Sequence, residues 1–262
     1  MSARTLAVVP ARLASVRLPR KPLHPLAGRP LVQWVWERAC AMDCLDEVVV
    51  ATDSEEVAEV AAGFGATVEL TAAEHPSGTD RVAEVAVGER YRHFPLIVNL
   101  QGDEPFITPE AVVAALELVR DGGWEVGTVA TRFGSVSEWL DPAAVKVVSN
   151  DRGGALLFSR APIPHLRGGG VSDELLAHTP FLRHLGVYAY RRAALLRWVG
   201  LPEGTLERIE RLEQLRPLAA GIPIGVAVVE APLHGGIDTA EDALSAERLV
   251  TQQRHAPAYA DA

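Results

Sequence analysis

Apolar, β-branched runs alternate along this chain with stretches whose apolar residues recur at helical spacing, and this alternation constrains the fold most. The runs that predict strands are Thr5–Val9, Glu47–Thr52, Leu96–Gln101, Val126–Thr131 and Ile224–Val229. A strand that is apolar throughout is typical of a parallel sheet with helices on both faces. The pattern therefore predicts an α/β fold with a Rossmann-like, mostly parallel sheet flanked by helices.

Residues typical of helix starts support this prediction. They stand at four places: Pro30, the capping pair Asp53 and Glu56, Thr108 before Pro109, and Thr239 before Asp242. Proline fits the first helical position, and a small polar side chain caps the free backbone N–H groups.

The middle of the chain, about residues 132–191, breaks the rhythm. It contains the short strand-like runs Val145–Ser149, Ala155–Ser159 and Gly186–Tyr190 around the flexible Gly168–Gly170. We interpret it as a smaller α+β region inserted into one domain that covers residues 1–262.

Composition excludes several classes of protein. With 262 residues, of which 48% are hydrophobic, the chain can bury a full core. The net charge of −9 argues against a nucleic-acid partner, which needs a basic surface. The apolar run that ends at Pro10 is too short for a membrane span or a signal peptide, so we expect a cytoplasmic protein.

The loop after the first strand carries an unusual density of cations. Four of them, Arg12, Arg17, Arg20 and Lys21, lie within ten residues. Ligands of open α/β sheets bind at the carboxyl ends of strands, and guanidinium and ammonium groups pair with phosphate oxygens. The loop is thus typical of a polyphosphate site, although a solvated basic loop is the alternative. Because the chain has neither a Walker motif nor a dinucleotide fingerprint, ATPase and dehydrogenase functions lose their main support.

Several motifs in the chain occur together and in order in one known family. They are Val8–Arg12, Arg17–Pro19, Lys21–Leu23, Ser77–Arg81, Val98–Pro105, Ala144–Val148, Phe158–Arg160, Arg183–Gly186, Leu212–Arg216 and Gly236–Thr239. Together, over about residues 5–250, they resemble the sugar-acid cytidylyltransferases, in particular the branch that acts on 3-deoxy-D-manno-oct-2-ulosonate (Kdo). Two departures are Arg20, where the family pattern has glycine, and Pro76, in a stretch that usually carries glutamine.

The resemblance implies a fold of the nucleotide-diphospho-sugar transferase type and a reaction. The reaction is transfer of CMP from CTP to Kdo, which releases pyrophosphate and gives CMP-Kdo for lipopolysaccharide biosynthesis. It also implies that the inserted region contacts the sugar and forms a homodimer.

The resemblance further assigns residues to the two substrates. Nucleotide binding falls to Pro10, Ala11, Arg12, Arg17, Lys21, Ser77, Gly78, Arg81 and Gln101. Acceptor binding falls to Arg160, His184, Tyr188, Glu213 and Gln214, with Arg160 and His184 expected beside the sugar carboxylate. From the residues alone, the segment at Ser77 could equally be a helix start with an ion-paired Arg81, and Glu213 and Gln214 a solvated helix surface.

Asp103 and Asp238 are the expected ligands of a magnesium ion (Mg2+). Asp103 follows the third predicted strand, and Asp238 follows the last one and precedes a helix. Two carboxylates beside a triphosphate suit magnesium, which takes its remaining ligands from phosphate and water. With Arg12 and Lys21, both aspartates are the expected catalytic residues. A turn-forming role for Asp103 and a capping role for Asp238 are the alternatives.

Two other functions stay open at this point. One is a cytidylyltransferase for another acidic sugar, such as a nonulosonate or an amino derivative of Kdo. The other is a nucleotide-binding regulator that has lost the chemistry, which the intact phosphate loop and aspartates disfavour.

Overall fold

The computed structural model describes residues 3–15, 17–230 and 235–255. The strands are β1 (Thr5–Pro10), β2 (Pro25–Leu26), β3 (Arg29–Pro30), β4 (Glu47–Thr52), β5 (Thr67–Leu70), β6 (Leu96–Asn99), β7 (Val126–Arg132), β8 (Lys146–Ser149), β9 (Ala155–Ser159), β10 (Leu182–Arg191) and β11 (Ile224–Val228). The helices are α1 (Leu31–Cys40), α2 (Glu55–Gly63), α3 (Gly78–Val87), α4 (Pro109–Arg120), α5 (Val136–Leu140), α6 (Asp173–His178), α7 (Arg192–Val199), α8 (Thr205–Glu210), α9 (Leu215–Ala219) and α10 (Ala240–His255). A short 3-10 turn covers Lys21–Leu23.

The main sheet has the strand order β11-β7-β10-β6-β1-β4-β5. Strands β6, β1, β4 and β5 pair in parallel, as do β7 and β11, whereas β10 runs antiparallel to both of its neighbours. The predicted α/β fold with a mostly parallel sheet is confirmed.

Helices cover both faces of this sheet. Along β1, Leu6 and Val8 pack into the core on one face, while Ala7 and Val9 pack into the core on the other. Successive side chains of a strand point to opposite faces, so a strand buried on both must be apolar throughout. This is the physical basis of the continuous apolar run from which β1 was predicted.

Two helix starts differ slightly from their prediction. Helix α4 starts as predicted, since Thr108 accepts a hydrogen bond from Ala111 N and Pro109 is its first residue. Helix α2 is capped by Ser54, which accepts from Val57 N, so the predicted cap at Asp53 is one residue too early. Helix α1 starts at Leu31 with Pro30 just before it.

The inserted region has a small core of its own. Its buried members are Phe133, Trp139, Ala144, Leu176 and Phe181. The β8–β9 hairpin attaches to β10 through β8. Residues 182–191, which the sequence grouped with the inserted region, form β10 and lie in the middle of the main sheet. An antiparallel strand needs no helical crossover from its neighbour. Strand β10 therefore does not follow the alternation of strands and helices from which the main sheet was predicted.

Across the described ranges, no helix is both long and apolar enough to span a membrane.

Candidate active site

A cleft of about 1400 Å³ opens at the carboxyl ends of the parallel strands β1 and β6. Every residue predicted to bind nucleotide lines this cleft, as do Asp103, Asp238 and Glu213. The structure thus brings together residues from both ends of the chain. Strand direction is the reason, since parallel strands deliver their following loops to one edge of the sheet.

The loop after β1 is anchored on the end of the neighbouring strand β4. Ala11 N donates a hydrogen bond to Ala51 O at 2.8 Å, and Leu13 N donates to Asp53 Oδ1 at 3.4 Å. These backbone contacts hold the start of the loop, while the side chains of Arg12 and Arg17 remain exposed. The cleft therefore has solvent-exposed cations on an anchored backbone.

Asp103 and Asp238 share one cation, Lys21. The Lys21 ammonium donates a hydrogen bond to Asp103 Oδ2 and another to Asp238 Oδ1, the latter at 2.7 Å. Arg17 Nη2 lies 2.9 Å from the other oxygen of Asp238. A backbone hydrogen bond of 2.8 Å from Ile237 N to Asp103 O joins the two aspartate loops. The carboxylates are consequently held next to each other by both backbone and charge.

A glycine allows the Asp103 turn to pass directly beneath the first loop. A Cβ atom on Gly102 would lie 2.6 Å from Pro10 O, closer than real Cβ atoms approach a backbone oxygen. Larger residues at this position would push the two loops apart. Gly102 therefore sets the spacing between the basic loop and Asp103.

Glu104, next to Asp103, is an acidic residue outside the pair of expected metal ligands. Burial raises the pKa of Glu104 to about 7, and the charge of Asp103 adds to this effect. Gly186 in β10 packs against it, since a Cβ there would lie 2.7 Å from Glu104 Oε1. Its neighbour Pro105 is buried, so the turn is fixed on both sides of the carboxylate.

The start of α3 forms a second wall of the cleft. Ser77 caps the helix by accepting a hydrogen bond from Asp80 N at 3.3 Å. Arg81, only 2% exposed, pairs with Asp53 at 3.0 Å and also donates to Thr71 Oγ1. The guanidinium of Arg81 is thus paired with other protein groups, in agreement with the alternative that Arg81 is an ion-paired residue at a helix start. Arg81 contributes shape and a fixed charge to this wall rather than a mobile cation.

Glu213 faces the start of α3 from the opposite wall. It accepts a hydrogen bond from the Thr79 hydroxyl at 2.5 Å between Oγ1 and Oε1. Burial raises the pKa of Glu213, and hydrogen bonds from Ser77 and Thr79 offset part of that rise. Glu213 therefore lies within the cleft rather than on a solvated helix surface.

The remainder of this wall was not predicted from the sequence. Arg208 and Arg211 line it together with a buried ion pair between Glu207 and Arg216. Arg216 belongs to the Leu212–Arg216 motif, which was the one available signal. Glu207, Arg208 and Arg211 have the spacing of an ordinary amphipathic helix. The tertiary structure is needed to show that they face the cleft.

Four of the residues predicted to bind the acceptor do not belong to the described residues that line the cleft, namely Arg160, His184, Tyr188 and Gln214. Arg160 donates to the carbonyl oxygens of Glu210 at 2.8 Å and Pro142 at 3.0 Å. Tyr188 and Gln214 are buried, with 3% and 5% of their surfaces exposed.

His184 lies between the rings of Phe158 and Tyr188, and its Nε2 is 2.9 Å from the Thr128 hydroxyl. Burial lowers the pKa of His184 to about 3, so the imidazole is neutral at physiological pH. In this conformation it could offer a sugar a hydrogen bond but no charge.

Asp103 and Asp238 are two cleft residues with the chemistry to hold a metal ion. Groups of three or more histidine, cysteine or acidic side chains suited to a metal are absent from the described part of the chain. The two carboxylates already converge on a single cation, which is the arrangement that a magnesium ion with phosphate and water as further ligands requires.

Comparisons with known proteins agree with this geometry. The cytidylyltransferase family profile matches residues 6–224. The chain is 50% identical over 241 residues to a 3-deoxy-manno-octulosonate cytidylyltransferase of Gemmatimonas aurantiaca, covering 92% of both proteins. It is 46% identical over 244 residues to a protein of the same name from Syntrophotalea carbinolica, covering 92% of this chain and 96% of that protein.

Solved structures give the same picture. A CMP:2-keto-3-deoxy-manno-octonic acid synthetase complexed with CTP superposes with a TM-score of 0.86 at 40% identity, covering 96% of this chain and all of that one. A 4-diphosphocytidyl-2C-methyl-D-erythritol synthase of Anaerococcus prevotii has a TM-score of 0.62 at 13% identity, over 95% of this chain and 96% of that one. This second similarity shows a common fold alone.

Proposed function

The chain belongs to the 3-deoxy-manno-octulosonate cytidylyltransferases, and on this premise we propose that its cleft transfers CMP from CTP to Kdo and releases pyrophosphate. The observation that carries the proposal is the meeting of the basic loop, the α3 start and two aspartates in one cleft. The product, CMP-Kdo, is an activated sugar for lipopolysaccharide biosynthesis.

The basic loop would bind the triphosphate. Arg12 and Arg17 are exposed and can reach phosphate oxygens, while the loop backbone stays anchored on β4. Phosphoryl and nucleotidyl transfer depend mainly on position and charge neutralisation, so these cations would stabilise the pyrophosphate as it leaves. Lys21 would add a further charge at the inner end of the loop.

Asp103 and Asp238 would hold a magnesium ion. Both carboxylates contact the Lys21 ammonium, which indicates that their oxygens are spaced for one shared cation. A bound magnesium ion would polarise the α-phosphate and favour the ionised form of the attacking sugar hydroxyl.

Glu213 would accept hydrogen bonds from the acceptor sugar, since it faces into the cleft from the wall opposite the nucleotide loops. The sugar carboxylate needs a cation, because an ionised group that leaves water must be paired. Arg160 remains our candidate for this role because His184 is neutral, and Gln214 and Tyr188 are proposed as further acceptor residues. Binding through Arg160 would require its guanidinium to exchange carbonyl partners for the carboxylate.

The proposal is tested by mixing purified protein with magnesium, each of the four nucleoside triphosphates and a panel of acceptors. The panel comprises Kdo, 8-amino-Kdo, N-acetylneuraminate and glucose 1-phosphate. We expect pyrophosphate release and CMP-sugar formation with CTP and Kdo, and neither product with glucose 1-phosphate. If the protein used N-acetylneuraminate or 8-amino-Kdo as an acceptor but did not use Kdo, that sugar would replace Kdo as the proposed acceptor. The absence of any nucleotide turnover would favour the regulator alternative.

We further propose that the protein is cytoplasmic, where CTP is available, and that it forms a homodimer through the inserted region. Support for the dimer comes from β9, where Leu156 and Leu157 are 58% and 39% exposed on the hairpin of that region. Exposed leucines close together on one hairpin are typical of an interface. Light scattering of the wild type and of Leu156→Asp should give a dimer and a monomer, respectively.

A further inference from the structure

The Lys21 side chain is enclosed between the two aspartates of the cleft. Its ammonium donates hydrogen bonds to Asp103 Oδ2 and Asp238 Oδ1, and only 15% of the side chain is exposed. Asp103 and Asp238 are themselves 27% and 39% exposed, so the lysine is the least accessible of the three. These two carboxylates are also the ligands that the proposed function assigns to magnesium.

Lys21 places a positive charge between the two carboxylates of Asp103 and Asp238. Two facing carboxylates repel each other when no cation lies between them. The lysine therefore holds them together in the protein without a ligand.

We propose that Lys21 is the resident counter-ion of the Asp103–Asp238 pair and that it competes with a divalent cation for the same carboxylate oxygens. The inference rests on the magnesium site of the proposed function. An ammonium that donates hydrogen bonds to these oxygens occupies their lone pairs and repels a second cation. Divalent ions should thus bind weakly to the protein alone.

The competition implies that the nucleotide also promotes binding of the divalent ion. Triphosphate oxygens can accept hydrogen bonds from the ammonium and can also supply the ion with ligands that two aspartates cannot provide. Lys21 is then a positioning residue for the ion as well as a contact for phosphate. The ion and the nucleotide should bind cooperatively. The nucleotide gives Lys21 new hydrogen-bond acceptors and gives the ion further ligands, while the ion neutralises charge on the triphosphate.

The test measures Mn2+ binding by electron paramagnetic resonance in the absence of nucleotide and acceptor. Lys21→Met removes the charge but keeps the apolar stem, and it should tighten Mn2+ binding by roughly tenfold or more. Lys21→Arg keeps the charge and should bind Mn2+ within about threefold of the wild type, as charge rather than length decides the competition. Combining Lys21→Met with Asp103→Asn should abolish the gain.

Arg20→Met is the matched control. It removes the same charge one residue away, from a side chain that pairs with Glu56 and does not line the cleft. It should change Mn2+ affinity by less than about threefold, the scale of a screened surface charge. An equal gain in Arg20→Met and Lys21→Met would overturn the inference, as would unchanged or weaker Mn2+ binding in Lys21→Met.

If Lys21→Met does not fold, the competition can be tested by a measurement on the wild type. The 13Cε lysine signal of Lys21, assigned by its absence from Lys21→Arg, should shift when saturating Mg2+ is added to the nucleotide-free protein. An unshifted signal at saturation would contradict the competition. Neither measurement contains CTP or a sugar, so failure of this inference is distinct from failure of the CMP-transfer assay.

Discussion

Thr79 donates a hydrogen bond to Glu213 across 134 positions of sequence, with 2.5 Å between Oγ1 and Oε1. Thr79 is completely buried in the first turn of α3, the segment that holds the predicted nucleotide-binding residues Ser77 and Gly78, while Glu213 lies on the wall proposed to bind the acceptor. One hydrogen bond thus connects the parts of the cleft that would hold the two substrates.

We expect Thr79→Val to impair acceptor binding more than nucleotide binding. Valine has the same shape but cannot donate, so Glu213 loses a charge-assisted hydrogen bond worth about 1.5–3 kcal/mol. The KM for Kdo should rise by about tenfold, and the KM for CTP by less than about threefold. Thr67→Val, in the edge strand β5, is the matched control and should leave both constants unchanged. A larger rise for CTP than for Kdo would contradict the role of Thr79 as a positioning residue.

Arg12→Ala should lower kcat by about a hundredfold, the scale of losing one group that stabilises charge in the transition state. Its melting temperature should change little, because Arg12 is exposed and exposed charges contribute little to stability. Arg20→Ala removes a cation from the same loop that does not line the cleft, and should keep most of the activity. If both variants lost activity equally, the loop would act through its overall charge alone.

Asp103→Asn and Asp238→Asn should each abolish most CMP transfer and raise the magnesium concentration needed for half-maximal rate. An amide oxygen is a weaker ligand for magnesium than a carboxylate. EDTA should inactivate the wild type, and excess magnesium should restore it. Full activity in EDTA would exclude the proposed metal role.

Arg20→Gly should be more stable than Arg20→Ala by about 1 kcal/mol in urea denaturation. Arg20 has φ 55° and ψ 36°, a left-handed conformation that glycine adopts without a Cβ clash. Both variants lose the ion pair with Glu56, so their difference isolates the backbone. Equal stabilities would mean that the left-handed strain is no larger than the extra unfolded-state entropy of glycine.

Arg216→Met should destabilise the protein by about 3–5 kcal/mol at pH 7, since it leaves Glu207 as a buried charge without its partner. The two side chains are only 9% and 8% exposed and share hydrogen bonds of 2.6–3.1 Å. Burial alone would raise the pKa of Glu207, but Arg216 and Gly204 N lower it below the ordinary value.

The pH dependence of this effect has a definite sign. A lowered carboxyl pKa stabilises the folded wild type above the unfolded pKa, and the stabilisation is lost as pH falls through the folded pKa. In Arg216→Met burial raises the pKa of Glu207. As the pH falls, Glu207 is therefore protonated at a higher pH in the variant than in the wild type. The stability difference between the two proteins should therefore be smaller at pH 5 than at pH 7 in urea denaturation, and a wider difference at pH 5 would contradict this.

The family pattern has glycine where this chain has Arg20, and the structure shows why glycine suits the position. The residue precedes the Lys21 turn in a conformation that glycine adopts more easily. By contrast, the prediction that residues 182–191 belong to the inserted region failed to foresee β10 in the main sheet. Pairing between β10 and β6 joins residues far apart in sequence, and no local pattern reports it.

Local sequence patterns predicted the strands except β2, β3 and β5, four helix starts to within about one residue, and the residue types of the cleft, because periodicity and capping depend on neighbours within a few positions. Packing between separate elements determines which of these residues meet. It brought Lys21 between Asp103 and Asp238, tied Arg81 to Asp53, and enclosed His184 among rings that keep it neutral. Such relationships join residues on separate elements, and both contact and pKa depend on how those elements pack in three dimensions.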